Sequence, residues 1–183
     1  GSMNRSSLNS YTSDEMMTIA AARLIWPGWV CFVGIGVPSA AANLARLTDA
    51  PNIVLVYESG GIGTQPSVLP LSIGDGELAE TATAVVSLPE IFSYWLQAGR
   101  IDLGFLGAAQ IDRFGNLNTT VIGGYAKPRT RLPGAGGAPE IVLHAKQVFV
   151  VLKQSPRSFV AKLDFCTSAG FLNGHGERAR RAF

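Results

Sequence analysis

Glu58 is the residue whose type and setting most plainly allow chemistry. It closes the apolar run Ile53-Val54-Leu55-Val56-Tyr57 and precedes Ser59-Gly60-Gly61-Ile62-Gly63. A run of that kind reads as a buried strand, so the carboxylate is expected at a strand end, on the rim of a hydrophobic sheet. An ionised group there is costly unless it is hydrogen-bonded or functional. The glycines beside it supply main-chain N–H groups and no side-chain bulk. A carboxylate is already ionised at neutral pH, so it can attack a carbonyl without a neighbouring base. Two blander readings stand beside that one. Glu58 could simply accept N–H bonds from its own turn. It could also hold a ribose, because Gly34-Ile35-Gly36 follows a strand and imitates a dinucleotide fingerprint with its acidic residue about twenty positions on. That match is incomplete, since Ser39 stands at the third glycine position.

The elements that must position these residues follow from periodicity. Thr12 with Glu15 is a capping box, and Met16, Met17, Ile19, Ala20, Leu24 and Ile25 then fit one face of a helix that Pro27-Gly28 ends. Residues 29–33 form an apolar strand. Pro38 suits the first turn of a helix over 39–47, and residues 53–57 are a second strand. The stretch 64–88 is mixed. Residues 89–98 read as a helix closed by Gly99, and residues 101–106 as a third strand. Phe114-Gly115-Asn116 is a turn with a short strand, 118–122, behind it. Residues 127–131 are basic and turn-like, 138–145 a short helix, and 147–152 another strand. Alternating strands and helices predict an α/β fold with a mostly parallel sheet and helices on both faces. Ligands of such sheets bind beyond the carboxyl ends of the strands, where Gly34-Ile35-Gly36 and Glu58-Ser59-Gly60 both fall.

Composition narrows the class. At 183 residues and 47% hydrophobic, the chain suits one domain, taken as residues 12–183, with a core of its own. Residues 1–11 are polar and expected to be flexible, and Gly1-Ser2 before Met3 reads as a tag remnant. Apolar runs are no longer than a strand, so no membrane span is expected. A net charge of +2 gives no argument for nucleic acid or a membrane surface. Arg178, Arg180 and Arg181 read as a solvated tail. Two cysteines, Cys31 and Cys166, point to a reduced, cytoplasmic protein. His144 and His175 lack ligand-like spacing, so no metal site is expected. Of the 21 glycines, ten cluster at 34/36, 60/61/63, 123/124 and 134/136/137. Asn116 and Asn118 read as turn and strand-edge residues, and Trp26, Trp29 and Trp95 as core or interface.

Val56-Tyr57-Glu58-Ser59-Gly60 resembles the glutamate motif of family I coenzyme A transferases, nearest to the β subunit of the glutaconate type. Three further segments resemble that family in the same order. They are Gly34-Ile35-Gly36-Val37-Pro38, then Phe105-Leu106-Gly107-Ala108-Ala109-Gln110-Ile111-Asp112 with Phe114-Gly115-Asn116-Leu117-Asn118, then Pro133-Gly134-Ala135-Gly136-Gly137-Ala138. The likeness runs over roughly residues 13–173. It implies the CoA-transferase-like fold and a ping-pong transfer of CoA from an acyl-CoA to a carboxylic acid through a glutamyl–CoA thioester on Glu58. The resemblance also implies that main-chain N–H groups hold the oxyanion and CoA: those of Gly134-Ala135-Gly136-Gly137-Ala138 first, with Gly136, Gly137 and Ala138 named as site residues, Gly34 and Gly36 second, and Ser59 and Gly60 beside the glutamate. Gln110 becomes a polar contact near the reacting centre, a structural hydrogen bond being the alternative. Coenzyme A is then a substrate and no cofactor is tightly bound. An α subunit supplies much of the substrate pocket, so the isolated chain is expected to be inactive. Chains of this family run on past the point where residues 174–183 stop, so a C-terminal truncation is expected. Relatives of the fold that lost the glutamate act as CoA-ester hydrolases or decarboxylases, and a non-catalytic partner subunit is a further alternative.

Overall fold

Four runs pair in parallel, the inner three largely buried and the edge strand half-buried, as the computed structural model, which describes residues 11–67, 78, 80–174 and 176–180, shows. The strands are β1 (Val30–Val33), β2 (Val54–Tyr57), β5 (Leu103–Leu106) and β10 (Gln147–Val150). Two short strands, β3 (Gly61–Ile62) and β4 (Ala84–Val85), extend the sheet antiparallel beyond β2. The order is β10-β5-β1-β2-β3-β4. Residues 1–10 of the expected flexible segment 1–11, His175, Arg181 and part of 64–88 lie outside the described residues.

Side chains alternate along each strand and so feed two cores. Cys31, Val33, Leu55, Tyr57, Leu103 and Phe105 face one layer, packed with Ala21 and Ala22 of α1 (Ser13–Ala22) and Ala41, Ala42 and Ala45 of α2 (Val37–Leu47). Phe32, Val56 and Leu106 face the other, packed with Ile91 and Leu96 of α3 (88–97) and Ile141 of α4 (Ala138–His144). α4 can dock closely because β5 carries Gly104. A Cβ there would stand 2.4 Å from Ile141 Cγ2. That contact holds the loop before α4 over the carboxyl ends of β1 and β2.

Several expectations are corrected. The capping box forms, with Thr12 Oγ1 accepting Glu15 N–H at 3.1 Å, but α1 stops at Ala22. Its expected apolar face divides: Ile25 is core and Met17 half-buried, whereas Met16, Ile19, Ala20 and Leu24 are exposed, because Ala21 and Ala22 lie in the same core cluster as the α2 alanines. α3 opens as one α-turn, Leu88–Glu90, and continues as a π-helix, Ile91–Gln97. The wider π-turn brings Ile91 and Leu96, five apart, to the same buried face. The expected strand 118–122 is two strands, β7 (Leu117–Asn118) and β8 (Val121–Gly123). Asn118 breaks it, its Oδ1 accepting Thr120 N–H at 3.0 Å and Val121 N–H at 3.3 Å. β7 pairs with β6 (Gln110–Ile111). The basic segment expected to be turn-like is a strand, β9 (Pro128–Arg131), laddered to β8. Arg178 is half-buried and donates to the Val142 carbonyl at 3.2 Å, which removes it from the solvated tail. Trp26 is 67% exposed, whereas Trp29 and Trp95 pack against the two cores. No helix among the described residues is long and apolar enough to cross a membrane.

Asp102 clamps the amino-terminal ends of the strands. Its carboxylate accepts Val30 N–H at 2.9 Å and the Lys146 ammonium at 2.7 Å. Burial acts to raise its pKa, but the Lys146 and Val30 bonds outweigh it and hold the carboxyl below the usual range. A depressed carboxylate pKa stabilises the fold above the unfolded value, near 4, and that contribution is lost as pH falls through the folded value. Asp102→Asn should therefore lower stability at neutral pH by about 1–2 kcal/mol. In urea titrations the gap between variant and parent should close below about pH 4. A gap that persists unchanged at low pH would show that the charge is not what Asp102 contributes.

Candidate functional site

The carboxyl ends of β1, β2 and β5 open into a cavity of about 420 Å³. Its floor is apolar, built from Phe32, Val33, Phe105 and Leu106 where the strands end, with Ala108 and Ala109 just beyond. Leu132 to Ala138 form one wall. Glu58 stands at the rim. Strand alternation sends Val56 and then Glu58 toward the face that α3 and α4 cover. There a methyl group on Gly137 would stand 3.6 Å from Glu58 Oε1 and 2.9 Å from Phe92 Cζ. Glu58 is half-buried, and its carboxylate makes no hydrogen bond or ion pair among the described residues. The turn after it does not occupy the carboxylate, because Gly60 N–H donates to the Tyr57 carbonyl at 2.9 Å.

Tyr57 points the opposite way and anchors the end of β2. Its Oη shares a 2.8 Å hydrogen bond with Ser39 Oγ, while Asn43 Nδ2 donates to the Ser39 carbonyl at 2.9 Å. Arg46 donates to Asn43 Oδ1 at 3.1 Å and to the Pro66 carbonyl at 3.4 Å. Burial pushes the phenol pKa up, against the Ser39 and Asn43 bonds and Arg46, so Tyr57 stays a neutral hydroxyl. Ser39, which spoils the dinucleotide fingerprint, is thus a buried brace. Cys31 lies one residue from the cavity lining but is inert: burial, with Asp102 nearby, pushes its thiol up to about 12.

The other residues nominated from sequence divide. Gly34, Gly136, Gly137 and Ala138 line the cavity. Gly134 is tied to the floor of that wall, its N–H donating to the Thr119 carbonyl at 2.9 Å and its carbonyl accepting from Thr119 Oγ1 at 2.7 Å. Ala138 N–H is engaged with the Ala135 carbonyl at 3.0 Å. Gly136 and Gly137 N–H meet no acceptor among the described residues. Gly36 is the N-cap of α2, and neither it nor the exposed Ser59 lines the cavity. Gly60 does not line it either, being pressed against the end of β4. Gln110 is absent from the lining and is 6% exposed. Its Oε1 accepts from Asn118 Nδ2 at 2.8 Å and Asp164 N–H at 3.0 Å, and its Nε2 donates to Asp164 at 3.3 Å. Asn118 is fully buried in the same network, and Asn116 binds Asp112 and the Leu172 carbonyl. Phe32, Phe92 and Thr119 were missed. The signal for Phe32 was its place at a strand end just before a glycine loop; nothing marked the other two.

Comparison with known proteins places this geometry. The coenzyme A transferase family model matches residues 14–182. The chain is 68% identical over 170 residues to the B subunit of 3-oxoadipate CoA-transferase from Pseudomonas knackmussii, covering 93% of this chain and 64% of the relative. It is 36% identical to the B subunit of glutaconate CoA-transferase from Acidaminococcus fermentans, covering 93% and 65%. The crystal structure of that organism's enzyme superposes with a TM-score of 0.87 over 95% of this chain and 68% of that one, at 32% identity. The decarboxylase AibA/AibB superposes at 0.79, with 28% identity, over 88% and 68%. The chain thus spans a little under two-thirds of the length of these two curated relatives. With a family match over nearly all its residues and a shared parallel-sheet architecture, the chain belongs to the coenzyme A transferase family.

Proposed function

We propose that the chain is the β-type subunit of a CoA transferase acting on a short dicarboxylic acyl-CoA of the 3-oxoadipyl kind, with Glu58 as nucleophile. The acyl class rests on the 68% identity to a relative of that name. The observation that carries the chemistry is the unpartnered Glu58 carboxylate at the cavity rim, beside the free N–H groups of Gly136 and Gly137.

A Glu58 oxygen attacks the thioester carbonyl, the C–S bond breaks, and CoA leaves as the thiolate. The acyl–glutamyl anhydride is then attacked by the thiolate at the Glu58 carbonyl, releasing the acyl group as its carboxylate. The acceptor acid enters by the reverse sequence. Each tetrahedral intermediate places negative charge on an oxygen, and one N–H donor aimed there is worth about 3 kcal/mol. Gly136 and Gly137 supply such donors. Gly34 and Gly36, at the facing loop, are the second choice, and Gln110 acts only through the Asn118–Asp164 network. An apolar cavity keeps water from the anhydride and thioester.

An α subunit completes the pocket in this reading. The relatives are named as B subunits, and the chain exposes Met16, Ile19, Leu24 and Trp26. The free thiols of Cys31 and Cys166 suit a reducing, cytoplasmic setting. The test is mass spectrometry of the α/β complex after acyl-CoA. The Glu58 peptide should gain the mass of CoA, and borohydride should convert that residue to the alcohol. An unmodified Glu58 peptide in a complex that turns over would overturn the assignment.

A further inference from the structure

Three cations stand on a hairpin that runs into the cavity wall. Lys127, Arg129 and Arg131 are all exposed, and none has a carboxylate partner among the described residues. The two arginines both lie on β9, Arg129 at the bulge where the register passes from Ile122–Thr130 to Gly123–Pro128. The guanidinium of Arg131 lies 5.1 Å from the centre of the Tyr125 ring and donates to the Tyr125 carbonyl at 3.3 Å. Tyr125 in turn stacks on Phe165 at 5.2 Å. The acid that reaches the hairpin, Asp164, is spent on Gly123 N–H at 2.9 Å and on Gln110. β9 continues without a break into the wall: Leu132 N–H donates to the Thr120 carbonyl at 2.9 Å, and Gly134 is tied to Thr119. Hairpin and wall are one hydrogen-bonded strip, with cations that lack a carboxylate partner among the described residues at one end and Gly137, beside Glu58, at the other.

We propose that the β8–β9 hairpin binds the phosphates at the nucleotide end of coenzyme A, with Arg129 and Arg131 pairing with phosphate oxygens and Lys127 adding charge. This rests on the transferase reading. A thioester held at Glu58 has an uncharged pantetheine arm to lay along Leu132 and Pro133, and its phosphates must emerge beyond them. Guanidinium forks match phosphate oxygens two at a time, and Tyr125 already holds one fork in place, which lowers the ordering cost.

The test is calorimetric binding of CoA and of pantetheine to the α/β complex. Arg129→Gln with Arg131→Gln should weaken CoA roughly tenfold or more and leave pantetheine unchanged. Lysines at both positions should recover part of the loss. Unchanged CoA affinity would overturn the proposal, as would equal weakening of both ligands or failure of the variant to co-elute with the α subunit, which would make the hairpin a subunit contact. Adduct formation on Glu58 reads the parent assignment separately. An adduct with arginine-independent CoA binding sinks only the hairpin, whereas arginine-dependent CoA binding without an adduct sinks only the transfer chemistry.

Discussion

Glu58→Gln is expected to lower CoA transfer by the α/β complex by about a thousandfold or more, through kcat, with KM for the acyl-CoA nearly unchanged. The amide has the shape of the carboxylate but no anionic oxygen to form the anhydride. Because Glu58 makes no hydrogen bond or ion pair among the described residues, the replacement removes nothing from the fold, and the thermal midpoint should stay where it is. Few carboxylates separate activity from stability so cleanly. Asp102, bonded to Val30 N–H and Lys146, should do the opposite. Glu58→Asp keeps the charge but withdraws it by one methylene from Gly137, and a misplacement of about 1 Å can cost about a hundredfold. The order Glu, Asp, Gln in kcat, with flat KM, is the signature of a nucleophile. A glutamine variant within tenfold of the parent would leave Glu58 as a bystander and return the chain to a merely supporting role.

Much of this site is legible in the residues alone, and the reason is local. Ile53 to Tyr57 could only be a buried strand, so Glu58 had to stand at its end, and Pro38 and the alanines after it fixed α2 against the same strand. What stays illegible depends on partners distant in sequence. Gly60 and Gly137 look alike as glycines in loops, yet one is filled by the Val86 backbone and the other faces Glu58. Gln110 reads as a polar group near a signature motif, but its bonds run to Asn118 and to Asp164, which lies far along the chain. Residues 127–131 carry turn chemistry and charge, and only the ladder from Val121–Arg131 and Ile122–Thr130 makes them a strand. Helix α1 fails in the other direction. Of its periodic apolar residues Ile25 reaches the core, but Met16, Ile19 and Leu24 do not, and Ala21 and Ala22 share the core cluster with the α2 alanines instead. Pattern finds which residues are apolar, and packing decides which of them are covered.

Gly60→Ala tests how the glutamate is held, and its expected effect is on the fold. Gly60 has φ +103°, a region that side chains other than glycine's rarely adopt, and an added Cβ would stand 2.0 Å from the Val86 carbonyl oxygen. That oxygen belongs to backbone, locked by the Val86 N–H bond to the Gly60 carbonyl at 3.0 Å, so it cannot swing aside as a side chain would. Relief requires β4 to peel from β3 or the turn after Glu58 to shift, and strain with overpacking of this kind costs about 3 kcal/mol. For a chain of this size that lowers the thermal midpoint by roughly 6–12 °C. Gly34→Ala is the control. That glycine lines the cavity, has no atom within 4 Å of an added Cβ and no positive φ, so the midpoint should move by less than about 2 °C. Any loss of transfer in Gly34→Ala would then come from the methyl group entering the substrate's space, whereas loss in Gly60→Ala would come with instability. Equal midpoints for the two variants would mean that the turn beside Glu58 is soft, and that the carboxylate owes its position to the cavity wall instead of to the glycine run that follows it.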